Sequence, residues 1–377
     1  MVSKERKLFF NLLKSALWNR SSFSDSSMPA GAIKDAIVLA RSQSVLGLVA
    51  DVVLSQRDIA DKLTEQEVMR LKHFVMSNLS TSQMLNNTLL KIVHELRKHD
   101  VEPVLLKGQG IAKYYPVPEL RQCGDIDIYV GQENFARTCE VIGEISTSED
   151  HAGDIPSLKH FHTRIGKAFI EIHRYTDVYF PKRLDRIYQK ISDEGMGSSL
   201  VPLDFSGMSV MTPSVNFNVF FIFNHFWHHF IADGVGLRQI CDWVLLLNAN
   251  KGNVDCDYLY DVLTKMGLMK QWKVFGVISV DVLGLPVECM PFYDERYRKL
   301  ASKVLDLILL EGNFGQENHK GYNRPKGYVS GKLYSFKKRS QRNLRVLRLF
   351  PKEAMLHLIR VFTHGIAVMV EDKILKP

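Results

Sequence analysis

The sequence predicts an α+β protein: a small mixed sheet with flanking helices, set between two helical regions. Three observations lead there. Over residues 1–100 apolar residues recur at three- and four-residue steps, the signature of amphipathic helices. Over 101–212 the period falls to two, in short runs broken by Gly and Pro, as strands require. From 213 to 377 the helical spacing returns, and a basic tract at 320–352 interrupts an otherwise ordinary charge pattern.

The chain has 377 residues, 46% hydrophobic and 24% charged. That length holds one large core or two medium ones, and the composition excludes a disordered or low-complexity chain. Five cysteines with no CxxC pair leave neither a disulfide framework nor a zinc motif, and point to a reducing, cytoplasmic setting. No apolar run approaches the ~18 residues of a membrane span, so none is expected. The net charge of +8 is local: residues 320–352 carry eleven Lys or Arg and no Asp or Glu, and the remainder holds 38 basic against 41 acidic residues.

Taken in order, the first element is an amphipathic helix carrying Phe9, Phe10, Leu13 and Leu17, which either docks on its own domain or lies on a membrane surface. Thr64 to His99 forms a long helix, opened by Thr64 and Glu67 at capping-box spacing. Pro103 introduces the strand VLLK, which Gly108 ends, and a second strand covers 126–130. A helix over 133–145 follows. Gly166-Lys167 joins strands 160–165 and 168–175 as a hairpin, and Ser206-Gly207 joins 200–205 to 208–212. Thr212 is the expected N-cap of a helix over 215–232, with Pro213 in its first turn. Helices over 235–248, 258–268, 271–283 and 294–310 come next. A Gly- and Asn-rich loop over 312–331 precedes helices over 336–350 and 352–370.

The stretch from Leu105 to Val130 carries the chemistry. Asp125 and Asp127 flank Ile126 in a strand, so both carboxylates point to one face while Ile126 and Ile128 enter the core. Two like charges ~4 Å apart repel by about 4 kcal/mol at an effective dielectric of 20. A divalent cation compensates them, and Mg²⁺ favours carboxylates, water and phosphates. On this reading Asp127→Asn relieves repulsion and leaves the melting temperature the same or higher. Phe169, Glu171 and His173 share one face of a later strand, so a neighbouring Glu171 would complete a three-carboxylate cage. Upstream, the strand ends at Gly108-Gln109 where a helix opens, and helix N-terminal N–H groups attract anions.

This arrangement resembles the DNA polymerase β-like nucleotidyltransferase superfamily. The segments LKG, YYP, an Arg four residues before the first Asp, and GDIDIYV are more specifically similar to the uncharacterised bacterial NTP-transferase-5 group, over about residues 85–250. Gln109 stands where the superfamily often has Ser. The resemblance implies transfer of an NMP from an NTP to a hydroxyl acceptor, with pyrophosphate leaving. It makes Asp125, Asp127 and Glu171 ligands of two Mg²⁺ ions (Mn²⁺ as a substitute), Glu171 a general base, and Gly108 and Gln109 the phosphate cradle. Lys107 stands beside the phosphates or is a surface lysine with an apolar stem. Arg121 neutralises the triphosphate or pairs with Asp125. Arg238 and Asp242 form an i,i+4 pair or face the nucleotide. The acceptor is a small molecule, sugar, peptide or protein. The alternatives are a non-catalytic binding protein that keeps the fold, with Glu171 far from the two aspartates, and a tRNA-end transferase.

Two histidine groups invite metal readings. His225 and His229 are four apart on one helical face without the Glu of HExxH, which favours packing at the domain interface. His160, His162 and His173 line one sheet face, either as a zinc site or as a polar wall of the acceptor cleft. The basic tract, interleaved with Tyr322, Tyr328, Tyr334 and Phe336, suits a triphosphate lid, nucleic acid or a solvated face.

Overall fold

The structure, a computed structural model, describes residues 4–19, 29–147, 160–197, 199–205, 207–315 and 328–375. Four helices open the chain: α1 (Lys4–Trp18), α2 (Ala30–Ser42), α3 (Leu46–Ser55) and the short α4 (Arg57–Ala60). The apolar stripe of α1 faces inward, with Phe9, Phe10, Leu13 and Leu17 all buried, and Trp18 donates to the Leu283 carbonyl at 2.7 Å. The helix therefore docks on its own protein. The 34-residue α5 (Glu65–Lys98) begins at the expected capping box: Thr64 accepts from the Glu67 N–H, and Glu67 accepts from the Thr64 N–H at 2.9 Å.

Six strands form one mixed sheet: β1 (Val104–Leu106), β2 (Asp125–Tyr129), β3 (His160–Ile165), β4 (Ala168–His173), β5 (Val201–Phe205) and β6 (Met208–Thr212). Their order is β3-β4-β2-β1-β6-β5. The two edge pairs are the expected hairpins, turning at Gly166 and Gly207, both with positive φ. The centre is β2, antiparallel to β1 and parallel to β4. Between strands lie α6 (Gly108–Ala112), α7 (Gly131–Ile145) and α8 (Lys182–Gly197).

Alternation sends the two faces of the sheet to different cores. Ile126, Ile128, Ile170 and Ile172 pack with Leu89, Ile92 and Val93 of α5 and Ile142 of α7. Val104 and Leu106 point the other way, into a larger core that contains α9 (Val215–Ala232) and α10 (Leu237–Ala249). Asp127 pairs across with Leu106 and therefore faces that second side. The carboxylates thus stand between the sheet and the C-terminal helices.

α9 is apolar over most of its circumference, as a largely buried helix must be; Phe217, Phe220, Phe223, Phe226 and Phe230 are all buried, and its three histidines stand on the half-buried side. It approaches α8 closely at Gly195, where an added Cβ would fall 2.2 Å from the Phe217 ring. Thr212 is not its N-cap: that residue ends β6, and its hydroxyl donates to the Val201 carbonyl, leaving Ser214 at the cap position. Then come α11 (Cys256–Met266), α12 (Met269–Val277) with a π-turn (Ile278–Val282), and α13 (Arg298–Glu311). α14 (Tyr328–Leu347) starts inside the stretch expected to be loop, and α15 (Pro351–Leu375) follows. The rest of that loop, from 316 to 327, lies outside the described residues. Among the described residues no helix is long and apolar enough to cross a membrane.

Candidate active site

The parallel pairing of β2 with β4 sets Asp127 directly beside Glu171 and Asp125 beside Phe169. Strand alternation puts Asp125, Asp127 and Glu171 on one face, and their ligand oxygens lie within 4.8 Å of one another. Asp127 is 2% exposed. Lys107 reaches its Oδ1 at 2.9 Å, and His173 Nε2 meets the same oxygen at 3.0 Å. Both contacts fall on Oδ1.

The three acids differ electrostatically. Burial opposes the Asp127 charge, but the Lys107 ammonium and the His173 hydrogen bond outweigh it and hold this carboxyl well below the usual range. Asp125 is pushed up, first by the Asp127 charge and then by burial. Glu171 is pushed up chiefly by burial. Burial also works against the Lys107 charge, yet the surrounding carboxylates keep that group above its ordinary value. The Lys107 ammonium and the Arg238 guanidinium against three clustered carboxylates leave negative charge uncompensated. An all-oxygen set of that kind fits Mg²⁺ or Mn²⁺.

Lys107 sits in a strained turn. Its φ is +48°, followed by +44° at Gly108. A residue with a side chain in this region costs about 1–3 kcal/mol and persists where surrounding contacts fix it. Here the contacts are Asp127 on one side and His225 Nε2, at 3.3 Å, on the other. Burial, then the Lys107 charge, holds the His225 imidazole well below its usual pKa. His225 is therefore neutral and accepts from Lys107, while its ring also meets His229 Nε2 at 3.1 Å. Two of the three α9 histidines, His225 and His229, thus stand behind the lysine. They form no candidate metal group among the described residues.

After Lys107 the chain turns into α6. Gln109 is 4% exposed, and neither its amide oxygen nor its amide nitrogen has a hydrogen-bond partner. Such a buried orphan calls for an explanation, and a ligand is one.

This chain belongs to a family of uncharacterised nucleotidyltransferases. The family profile matches residues 30–275, which spans the whole sheet, the three carboxylates and α9 to α11, and extends beyond the expected 85–250 at both ends. No curated protein and no solved structure matches the chain. In this nucleotidyltransferase, Glu171 meets the distance condition that separates a three-carboxylate centre from a scaffold with Glu171 remote from the aspartates.

Two expected pairings are corrected. Arg121 does not pair with Asp125. It makes a buried bidentate bridge to Asp242, Nε to Oδ1 and Nη2 to Oδ2, both at 2.7 Å. Tyr115 donates to the same Asp242 at 2.7 Å. Arg238 consequently has no ion pair with Asp242. Its Nη1 donates to the Gln122 carbonyl at 2.8 Å, and its charge draws the Asp125 pKa down. Arg238 Nε is buried without a hydrogen-bond partner, so this arginine borders the carboxylates with donor capacity left over. Part of the basic tract is structural: Arg342 is buried against Glu311 and donates to the carbonyls of Phe230 and Ile231.

Proposed function

We propose that this protein is a Mg²⁺-dependent nucleotidyltransferase that moves an NMP from an NTP to a hydroxyl of a small molecule, sugar, peptide or protein. The observation that carries this reading is the convergence of Asp125, Asp127 and Glu171 on one sheet face in a member of a nucleotidyltransferase family. When bound, Mg²⁺ or Mn²⁺ neutralises triphosphate charge and lowers the pKa of the acceptor hydroxyl. Asp125 and Asp127 would hold the ion that carries the triphosphate and, with Glu171, a second.

The chain's own groups do the rest. The acceptor oxygen bonds to the α-phosphorus while the bond from that phosphorus to the pyrophosphate oxygen breaks, and the hydroxyl proton passes to Glu171. Backbone N–H groups at Gly108 and Gln109, the unpartnered Gln109 amide, Lys107 and Arg238 hold phosphate oxygens. Arg121 and Asp242 act one layer back: their bridge fixes the segment before β2 against α10. His225 keeps Lys107 aimed at Asp127.

The test supplies α-phosphate-labelled NTPs, Mg²⁺ and fractionated cell extract, and follows label transfer together with pyrophosphate. The expected result is transfer by the parent and none by Asp125→Asn or Glu171→Gln. Transfer that survives in both variants rejects the assignment.

A further inference from the structure

Beside the carboxylates, the same sheet face carries three imidazoles. In the antiparallel pair of β3 and β4, His160 stands opposite His173 and His162 opposite Glu171. Phe161 and Thr163 alternate to the other side and are buried there, so His160 and His162 share the face of Glu171 and His173. All three rings approach one carboxylate. His160 Nδ1 lies 3.3 Å from Glu171 Oε1, His162 Nε2 lies 3.9 Å from the same oxygen, and His173 Nε2 lies 3.7 Å from Oε2. The ligand atoms of His160, Glu171 and His173 fall within 4.8 Å of one another.

These separations have a physical meaning. Two ligand atoms bound to one tetrahedral ion at about 2.0–2.1 Å stand about 3.3 Å apart. The His160–Glu171 spacing matches that edge length; those of His162 and His173 exceed it by about half an ångström, and all three are longer than the ~2.7–3.2 Å of a good hydrogen bond. His173 Nε2 also meets Asp127 Oδ1 at 3.0 Å, a contact that an ion bound here would replace. Donor type then selects the ion. Mg²⁺ takes oxygen and rarely imidazole, whereas Zn²⁺, Co²⁺, Ni²⁺ and Cu²⁺ favour imidazole nitrogen with a carboxylate.

We propose that His160, Glu171 and His173 form a second cation site, specific for a transition-metal dication such as Zn²⁺, with His162 placed to close the fourth position. The site is distinct in donor chemistry from the all-carboxylate centre and shares Glu171 with it. It stands on strand register and donor geometry, and does not depend on the transferase reading. Because Glu171 serves both sites, an ion at the histidines takes an oxygen that the carboxylate centre uses.

The experiment uses tag-free, metal-stripped full-length protein titrated with Co²⁺ in the absence of Mg²⁺, read by visible absorption, with Zn²⁺ affinity by calorimetry. One equivalent of Co²⁺ should give the intense visible bands of a low-coordinate nitrogen and oxygen site. His160→Ala should weaken binding at least ~10-fold, as loss of a group that holds or orients a metal does. His160→Gln, which keeps the bulk of the ring position, should do the same at an unchanged melting temperature. His162→Ala should weaken binding less. Asp125→Asn should leave Co²⁺ affinity within about twofold, since Asp125 belongs only to the carboxylate group. The proposal is overturned by an absence of binding, or by equal affinity in the parent and both His160 variants. It is also overturned by a thiolate charge-transfer band, which would place the ion on a cysteine, or by loss of binding in Asp125→Asn with retention in His160→Ala.

Discussion

Replacing either aspartate of the central strand by asparagine should move stability in opposite directions. Asp125 suffers the Asp127 charge. Within 4.8 Å of each other and at an effective dielectric of 20, the two unit charges repel by at least about 3 kcal/mol. Lys107 and Arg238 offset part of this, so Asp125→Asn should stabilise the metal-free protein by about 1–2 kcal/mol. Asp127 is different: it is the partner of a buried lysine. Removing one member of a buried pair costs about 3–5 kcal/mol. Glu171 and Asp125 still attract Lys107, so Asp127→Asn should cost about 3 kcal/mol, at the low end. This corrects the expectation that Asp127→Asn leaves the melting temperature the same or higher. The assay is urea denaturation at neutral pH in chelator, then with Mg²⁺, where the parent should be stabilised and both variants much less. The pH dependence has a definite sign. Asp125 has a raised folded pKa, so its destabilising effect is full above that pKa and is relieved as pH falls towards the ordinary carboxylate range near ~4. The advantage of Asp125→Asn should shrink over that interval. Asp127, held well below the usual range, keeps its stabilising contribution there and loses it only in stronger acid. Stabilisation by both substitutions, or destabilisation by both, would refute this division of roles.

Three further outcomes follow from the packing. Asp242→Ala strands the buried Arg121 and the Tyr115 hydroxyl and should cost about 3–5 kcal/mol in denaturant, while Arg121→Met with Asp242→Leu should recover most of it; a cost below 1 kcal/mol, with weaker NTP binding instead, would return the pair to the nucleotide. Gly195→Ala should cost about 1–3 kcal/mol by forcing α8 off Phe217, measured as a shift in urea midpoint. Arg342→Ala, which removes the nearer of the two arginines at buried Glu311 and two carbonyl contacts, should lower the melting temperature at any salt concentration, whereas a cation in a solvated face would give a small, salt-screened change.

Local signals in the chain located most of the elements and the three acids. Both hairpins followed from glycine turns, α5 from its capping box, and the shared face of Asp125 and Asp127 from strand alternation alone. What alternation cannot supply is the identity of a neighbour. The parallel pairing that brings Glu171 to Asp127 joins residues 44 positions apart. The Arg121–Asp242 bridge spans 121 positions and the Lys107–His225 contact 118. A periodicity assigns a residue to a face, so Arg238 and Asp242 read as partners on one helix turn when both bond instead to the segment before β2, Arg238 to the Gln122 carbonyl and Asp242 to Arg121. Likewise, three histidines on a sheet face were legible, but their common aim at Glu171 was not, because it depends on strand register.

The carboxylate face is the proposed seat of a metal-bound triphosphate. The most direct test is a crystal structure with α,β-non-hydrolysable NTP analogues and Mg²⁺. The expected result is an ion about 2.0–2.1 Å from oxygens of Asp125 and Asp127 that bridges to the triphosphate, with the phosphates against Gly108, Gln109 and Lys107. An analogue bound elsewhere, or one bound here with no ion on either aspartate, would contradict it.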